Sequence, residues 1–152
     1  MAGWRLLAAG LLAFGFAAPI RAQSAKLDPA AVEFKLPDQI NWVENAAAGN
    51  ASANLYGDPN KPGLYIQLVK WHAGHMSRPH FHPNDRFITV VSGTWWVGSG
   101  PKYSPETTTP LPAGSFVVHH ARQVHYDGAK EGDAVLEIVG MGPATATPAE
   151  VK

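Results

Sequence analysis

The strongest constraint on the fold is punctuation. Strand-length runs rich in β-branched and aromatic residues recur, each ended by Gly, Pro, Asn, Asp or Ser. They are Ala53–Tyr56, Leu64–Trp71, Phe87–Ser92, Thr94–Gly98, Ser115–His119, Gln123–Tyr126 and Ala134–Val139. Such runs suit pleated, half-buried surfaces, and the residues between them form turns. In Leu64–Trp71 the alternation places Tyr65, Gln67, Val69 and Trp71 on one face. No segment after residue 23 sustains a helical period. The pattern predicts an all-β sandwich or barrel, and 152 residues suit one such domain.

The first 22 residues follow a different rule. Arg5 precedes an uncharged apolar run, Leu6–Ile20, and Arg21-Ala22 closes it. This is the three-part pattern of a secretory signal peptide, with cleavage expected after Ala22. The expected location is periplasmic or secreted. An uncleaved anchor is the rival reading, but the run is short for a membrane span. Residues 23–40, with Pro29 and Pro37, read as an extended lead-in. Residues 41–142 carry the barrel, and the Ala/Thr/Pro-rich segment 143–152 reads as a flexible tail.

Composition removes several function classes. The chain has no Cys, which excludes disulfides, thiolate metal sites and cysteine nucleophiles. Twelve basic and twelve acidic residues leave no basic footprint for nucleic acid or for an anionic membrane. Without residues 1–22 the balance is ten to twelve. No phosphate-binding Gly-rich loop and no Gly-x-Ser-x-Gly elbow is present.

What remains is histidine. All seven lie between His72 and His125. His80 and His82 are two apart, so in an extended strand both imidazoles project from one face. Neutral imidazole is a common ligand for Fe, Mn, Ni, Cu and Zn, and ligand type alone does not choose among them. His125 lies in a later strand-like run and could supply a third nitrogen. Histidines lining a metal-free pocket are the competing reading of the same pattern.

The spacing resembles that of the cupin superfamily, double-stranded β-helix (jelly-roll) barrels with a metal site inside. The first cupin motif runs from Gly through five residues to His-x-His, then to Glu, then six residues to Gly. Here Gly74, His80, His82, Arg86 and Gly93 occupy those positions. In the second motif Gly114, His120, Arg122, His125 and Ala129 stand where Gly, Pro, Gly, His and Asn are usual. The resemblance spans residues 40–142 and is nearest to small exported single-domain cupins. Those run from a Gly-Asp-Pro turn, here Gly57-Asp58-Pro59, to a final Gly-x-Gly-Pro, here Gly140–Pro143. It implies one divalent transition metal on His80, His82 and His125, a small-molecule ligand or substrate, and a homodimer through sheet edges.

The main departure is Arg86, a permanent cation where the family carries a metal-binding carboxylate. Three outcomes are open. Arg86 turns aside to pair with Asp85 or Glu137 and leaves a three-His site, as in the cupins cysteine dioxygenase and acetylacetone dioxygenase. It points inward and grips an anionic group of the substrate. Or the metal site is degenerate and the barrel only binds. Glu137, in the apolar run Ala134–Val139, is the candidate replacement carboxylate, though on an alternating strand it would face outward.

Around this centre, His75 reads as a residue of the cavity mouth or an exposed loop. His120 is preferred to His119 as a cavity neighbour, because it shares parity with Phe116 and Val118. His72 and His119 read as bystanders. Of the pair Trp95 and Trp96, one faces in, and an inward Trp95 would wall the pocket. The expected function is a metal-dependent small-molecule oxygenase. The alternative is a non-catalytic sensor or carrier.

Overall fold

The computed structural model describes residues 26–151. The leader expected over residues 1–22 lies outside them. Contact density divides the chain after Phe34. Of the first unit, residues 26–34 are described and hold one turn, in which Ala31 and Val32 donate to the Asp28 carbonyl. The second unit opens with a short 3-10 turn at Pro37–Gln39 and then builds eleven strands.

The strands are β1 (Val43–Asn45), β2 (Asn50–Tyr56), β3 (Gly63–Trp71), β4 (His80–Phe81), β5 (Arg86–Ser92), β6 (Thr94–Ser99), β7 (Thr109–Pro112), β8 (Phe116–His119), β9 (His125–Gly128), β10 (Ala134–Gly142) and β11 (Thr147–Pro148). One sheet runs β1-β2-β3-β10-β5-β8 and the other β11-β4-β9-β6-β7. All pairings are antiparallel. The all-β expectation holds, and each of the seven expected runs lies in or overlaps a strand.

Alternation builds the core. In β10, Ala134, Leu136 and Ile138 are buried while Val135, Glu137 and Val139 are not. In β5, Ile88 and Val90 are buried and Phe87, Thr89 and Val91 are exposed. Tyr65 and Trp71 from β3 and Trp95 from β6 complete the apolar cluster. Of these, each buried Leu, Ile or Val contributes about 1.5–3 kcal/mol on leaving water.

Four strands are not visible in the sequence pattern. β1, β4 and β11 have only two or three residues, too few to show a period. β7 contains Pro110 and Pro112, which argue against a strand interior. It is tolerated because it pairs only with β6 and forms a sheet edge.

The expected flexible tail is instead tied down over its described residues, 143–151. β11 pairs with β4, Ala149 donates to the Pro79 carbonyl, and Val151 donates to that of Pro101. Glu150 pairs with Arg78, whose guanidinium also lies 3.9 Å above the Tyr103 ring.

Gly93 turns β5 into β6 with φ +75°. A Cβ there would meet the Asp133 carbonyl oxygen. The left-handed backbone and the collision with main chain act together. Gly93→Ala is expected to cost about 2 kcal/mol or more, read as a lower urea midpoint with unchanged slope. A loss under about 0.5 kcal/mol, the range of ordinary surface changes, would contradict this account of the turn.

Candidate metal centre

β4 and β9 pair with His80 opposite His125, which sets two imidazoles side by side. His82 follows two residues later on the same side. The ring centroids lie 4.6 Å (His80–His125), 4.9 Å (His80–His82) and 5.4 Å (His82–His125) apart. The expected triad is therefore brought together, and its nitrogens could hold one metal ion.

Hydrogen bonds fix which nitrogen does so. His80 Nδ1 donates to the Arg78 carbonyl at 2.8 Å, His82 Nδ1 to Thr145 at 3.0 Å, and His125 Nδ1 to Gln123 at 3.0 Å. A carbonyl oxygen only accepts, so each Nδ1 carries its proton and each Nε2 of a neutral ring keeps a lone pair. This is the outer arrangement that orients metal-binding histidines. The His80 and His82 Nε2 atoms face each other at 3.2 Å. Two nitrogens each about 2.1 Å from one ion lie about 3.0–3.4 Å apart between right-angled and tetrahedral geometry. His125 Nε2 is buried without any partner. The donor set fits a divalent transition metal.

Arg86 does not turn aside. It shares the inner face with Ile88 and Val90, and its Nη1 donates to His82 Nε2. Among the described residues it makes no ion pair: Asp85 accepts from the Ala121 amide instead. Its Nε is buried with no partner. This corrects the first outcome: the guanidinium is not paired with Asp85 or Glu137 but points inward onto His82. Glu137 faces outward from β10, so it is not the replacement carboxylate.

Two residues passed over in the sequence lie in the centre. His119 is 6% exposed, against the outward place expected for it. β8 pairs with β5 so that Val117 meets Ile88 and His119 meets Arg86, which puts the odd-numbered residues inside. His120 follows the strand end and is exposed, correcting the parity argument. The His119 ring lies 3.7 Å from that of His125, and neither of its nitrogens has a partner. Asp127, two residues after His125, is also 6% exposed. Its Oδ1 accepts from Trp95 Nε1 at 3.2 Å, and Ser77 brackets its backbone on both sides. The alternation His125-Tyr126-Asp127 was the available signal.

These groups line a cavity of about 570 Å³. His80, Arg86, His119 and Asp127 supply its polar side, and Ile88, Leu136, Ile138 and Trp71 its apolar side. Trp95 lines it as expected, while Trp96 lies under Lys130 at 3.9 Å. His75 is exposed at the edge of the cavity, packed so closely on Gly49 that no Cβ would fit there. His72 does not line it and pairs with Glu44 at 3.0 Å.

Burial, reinforced by the Arg86 charge and by the neighbouring rings, pushes His82 down to about 3. Burial with the His125 and Arg86 charges pushes His119 down to about 2. Burial also lowers His125 to about 4, partly offset by Asp127. The folded protein thus keeps these rings neutral where the unfolded chain, titrating near 6.5, already binds protons. Stability is full above pH 6.5 and falls as pH drops from 6.5 towards 4. Each such histidine contributes about 1.4 kcal/mol per pH unit in that window. His72 has the opposite sign, since the Glu44 hydrogen bond raises it, but it is solvent-exposed and screened. Urea unfolding of chelator-treated protein is expected to show a lower midpoint at pH 5 than at pH 7.5. A flat profile would contradict the neutral assignment.

No family model and no curated protein matches the chain. Solved structures do. The polyketide cyclase RemF from Streptomyces resistomycificus superposes with a TM-score of 0.65 at 12% identity, over 80% of this chain and 87% of that one. KdgF from Halomonas sp. gives 0.56 at 20% identity, over 72% and 95%. A cupin 2 conserved barrel domain protein from Rhodopseudomonas palustris gives 0.57 at 15%, over 74% and 81%. The architecture that carries the histidine centre is the cupin barrel.

Proposed function

We propose that this chain is an exported, metal-dependent enzyme acting on a small organic anion, with oxygenase chemistry at a histidine centre. One observation carries the reading. Three imidazoles each give their Nδ1 proton to a backbone carbonyl and turn Nε2 towards a common region. A fold that only packed these rings would not leave His125 Nε2 buried and unpartnered. Export rests on the sequence of residues 1–22 and on the absence of Cys. That the cupin fold also houses a polyketide cyclase is consistent with catalysis in such a barrel.

His80, His82 and His125 would hold the ion. When bound, it would supply Lewis acidity and open coordination positions, because neutral ligands leave its full charge in place. The chain's own residues do the rest. Arg86 uses Nη1 on His82 and still offers Nε, a buried donor with no partner, to an anionic group. Ile88, Leu136 and Ile138 exclude water and receive an apolar substrate body. Trp95 holds the Asp127 carboxylate at the cavity wall.

The Arg86–His82 bond favours a second reading. It occupies one of the three lone pairs, as a metal-free barrel that binds an organic anion would do. Metal analysis separates the two. Untagged protein is expected to carry close to one divalent ion per chain, falling to near zero in His125→Ala. Zero metal in the parent protein, unchanged after reconstitution, would leave the binding barrel.

Arg86→Glu restores an anionic donor beside the triad and removes the anion grip. It is expected to tighten Co(II) binding on the order of tenfold and to weaken binding of small carboxylates similarly. Unchanged affinity for both would place Arg86 outside the site.

A further inference from the structure

His125 Nε2 stands between two donor sets. On one side are His80 and His82. On the other are His119 and Asp127, and the ligand atoms of His119, His125 and Asp127 also lie within 4.8 Å of one another. We propose that these three residues form a second metal position, overlapping the first through His125 and taking a divalent first-row ion on two imidazoles and one carboxylate. The proposal rests on the reading of the cavity as a metal centre and adds to it an alternative seat for the same ion, taken while Arg86 holds His82.

Four observations support it. First, with Arg86 on His82, the three-histidine set has only two uncommitted lone pairs. In the second set the His119 nitrogens and His125 Nε2 are unpartnered, and Asp127 is engaged through Oδ1 alone. Second, His119 is 94% buried by its 6% exposure, and neither ring nitrogen has a partner. A neutral imidazole always keeps one lone pair, and leaving it buried and unsatisfied is costly unless something binds it. Third, Asp127 is held by one oxygen only. Trp95 Nε1 occupies Oδ1, and no hydrogen bond among the described residues engages the other oxygen. An indole N–H aiming a carboxylate is an outer contact of the kind metal sites use. Fourth, the carboxylate supplies the negative charge that Arg86 denies to the usual position. Two imidazoles and a carboxylate on one side of an ion form the facial arrangement that suits Fe(II) and related metals.

His125 Nε2 has one lone pair, so the two positions exclude each other and the chain binds a single ion. Neither His119 nor Asp127 was needed to bring His80, His82 and His125 together. The second position is therefore a separate claim from the first.

The test is a Co(II) titration of untagged, chelator-stripped full-length protein, followed by visible absorption and equilibrium dialysis. The parent protein is expected to bind one Co(II). Asp127→Asn keeps an acceptor for Trp95 and is near-isosteric. It is expected to weaken Co(II) by at least about tenfold and to shift the visible bands. His119→Gln, checked for folding by circular dichroism, is expected to do the same. His82→Ala is expected to keep one ion with affinity within about threefold, below the effect of losing an outer contact. If Asp127→Asn and His119→Gln leave affinity and spectrum unchanged while His82→Ala abolishes binding, the second position is overturned and the three-histidine centre stands. Two ions per chain would overturn the mutual exclusion. No Co(II) in the parent protein would overturn both positions together.

Discussion

Three N–H groups pointed at backbone carbonyls govern the interior of this barrel. The acceptors are Arg78, Gln123 and Thr145, none of them inside a strand. A side-chain acceptor could rotate away or change protonation. A carbonyl fixed in the main chain cannot, so the rings are locked with their Nε2 atoms inward. The surrounding architecture maintains those carbonyls. Pro79 follows Arg78 and is fully buried, and Arg78 itself is clamped by Glu150. The backbone around Thr145 is held by Ala144 donating to the Pro59 carbonyl on one side and by β11 on the other. The C-terminal segment is thus part of the site, although nothing in its own side chains carries chemistry.

Locked imidazoles create an electrostatic problem that Arg86 makes worse. Two facing lone pairs and a buried unpartnered nitrogen call for a cation, and Arg86 brings a permanent one to His82. Its guanidinium has no carboxylate partner among the described residues, and removing a charge from water without one is costly. Asp127 faces the same cavity from β9, its charge steadied by Trp95. Cation and carboxylate lie in one chamber without forming a pair. An organic anion for the guanidinium and a metal ion for the carboxylate would neutralise both.

How much of this was legible in the sequence follows from periodicity. The barrel and the His80, His82 and His125 triad are readable because long alternating runs and fixed motif spacing survive any detail of packing. Arg86 left three outcomes open; its shared parity with Ile88 and Val90 was the signal that pointed inward. The error at His119 has a specific cause. Parity was anchored on Phe116, a large apolar residue, but Phe116 is 65% exposed and the inward residue of that turn of strand is Val117. Only the pairing of β8 with β5 decides this, and pairing is a long-range fact. Asp127 was hidden by ending the strand at Tyr126, two residues before its end at Gly128. At Arg122 the backbone takes φ +61° where the cupin motif has Gly, and its amide donates to the His82 carbonyl at 2.8 Å. The turn geometry of the motif is thus kept without its glycine.

On the proposed reading, the position of Arg86 couples substrate and metal. Its Nη1 and a metal ion compete for the same lone pair on His82, while its Nε remains open to an anion. On the proposed reading, anything that draws the guanidinium towards the cavity returns that lone pair to the three-histidine set. By linkage, an ion on that set must favour the guanidinium's departure, and so the binding of whatever receives it, by the same factor. A glutamate at this position, as the cupin pattern has, could not couple the two, because it would be a ligand itself. The replacement of Glu by Arg then reads as a change in what the centre responds to. A fixed four-ligand cage becomes a set of five donors from which one ion takes three, with the selection made by a side chain that also contacts the substrate.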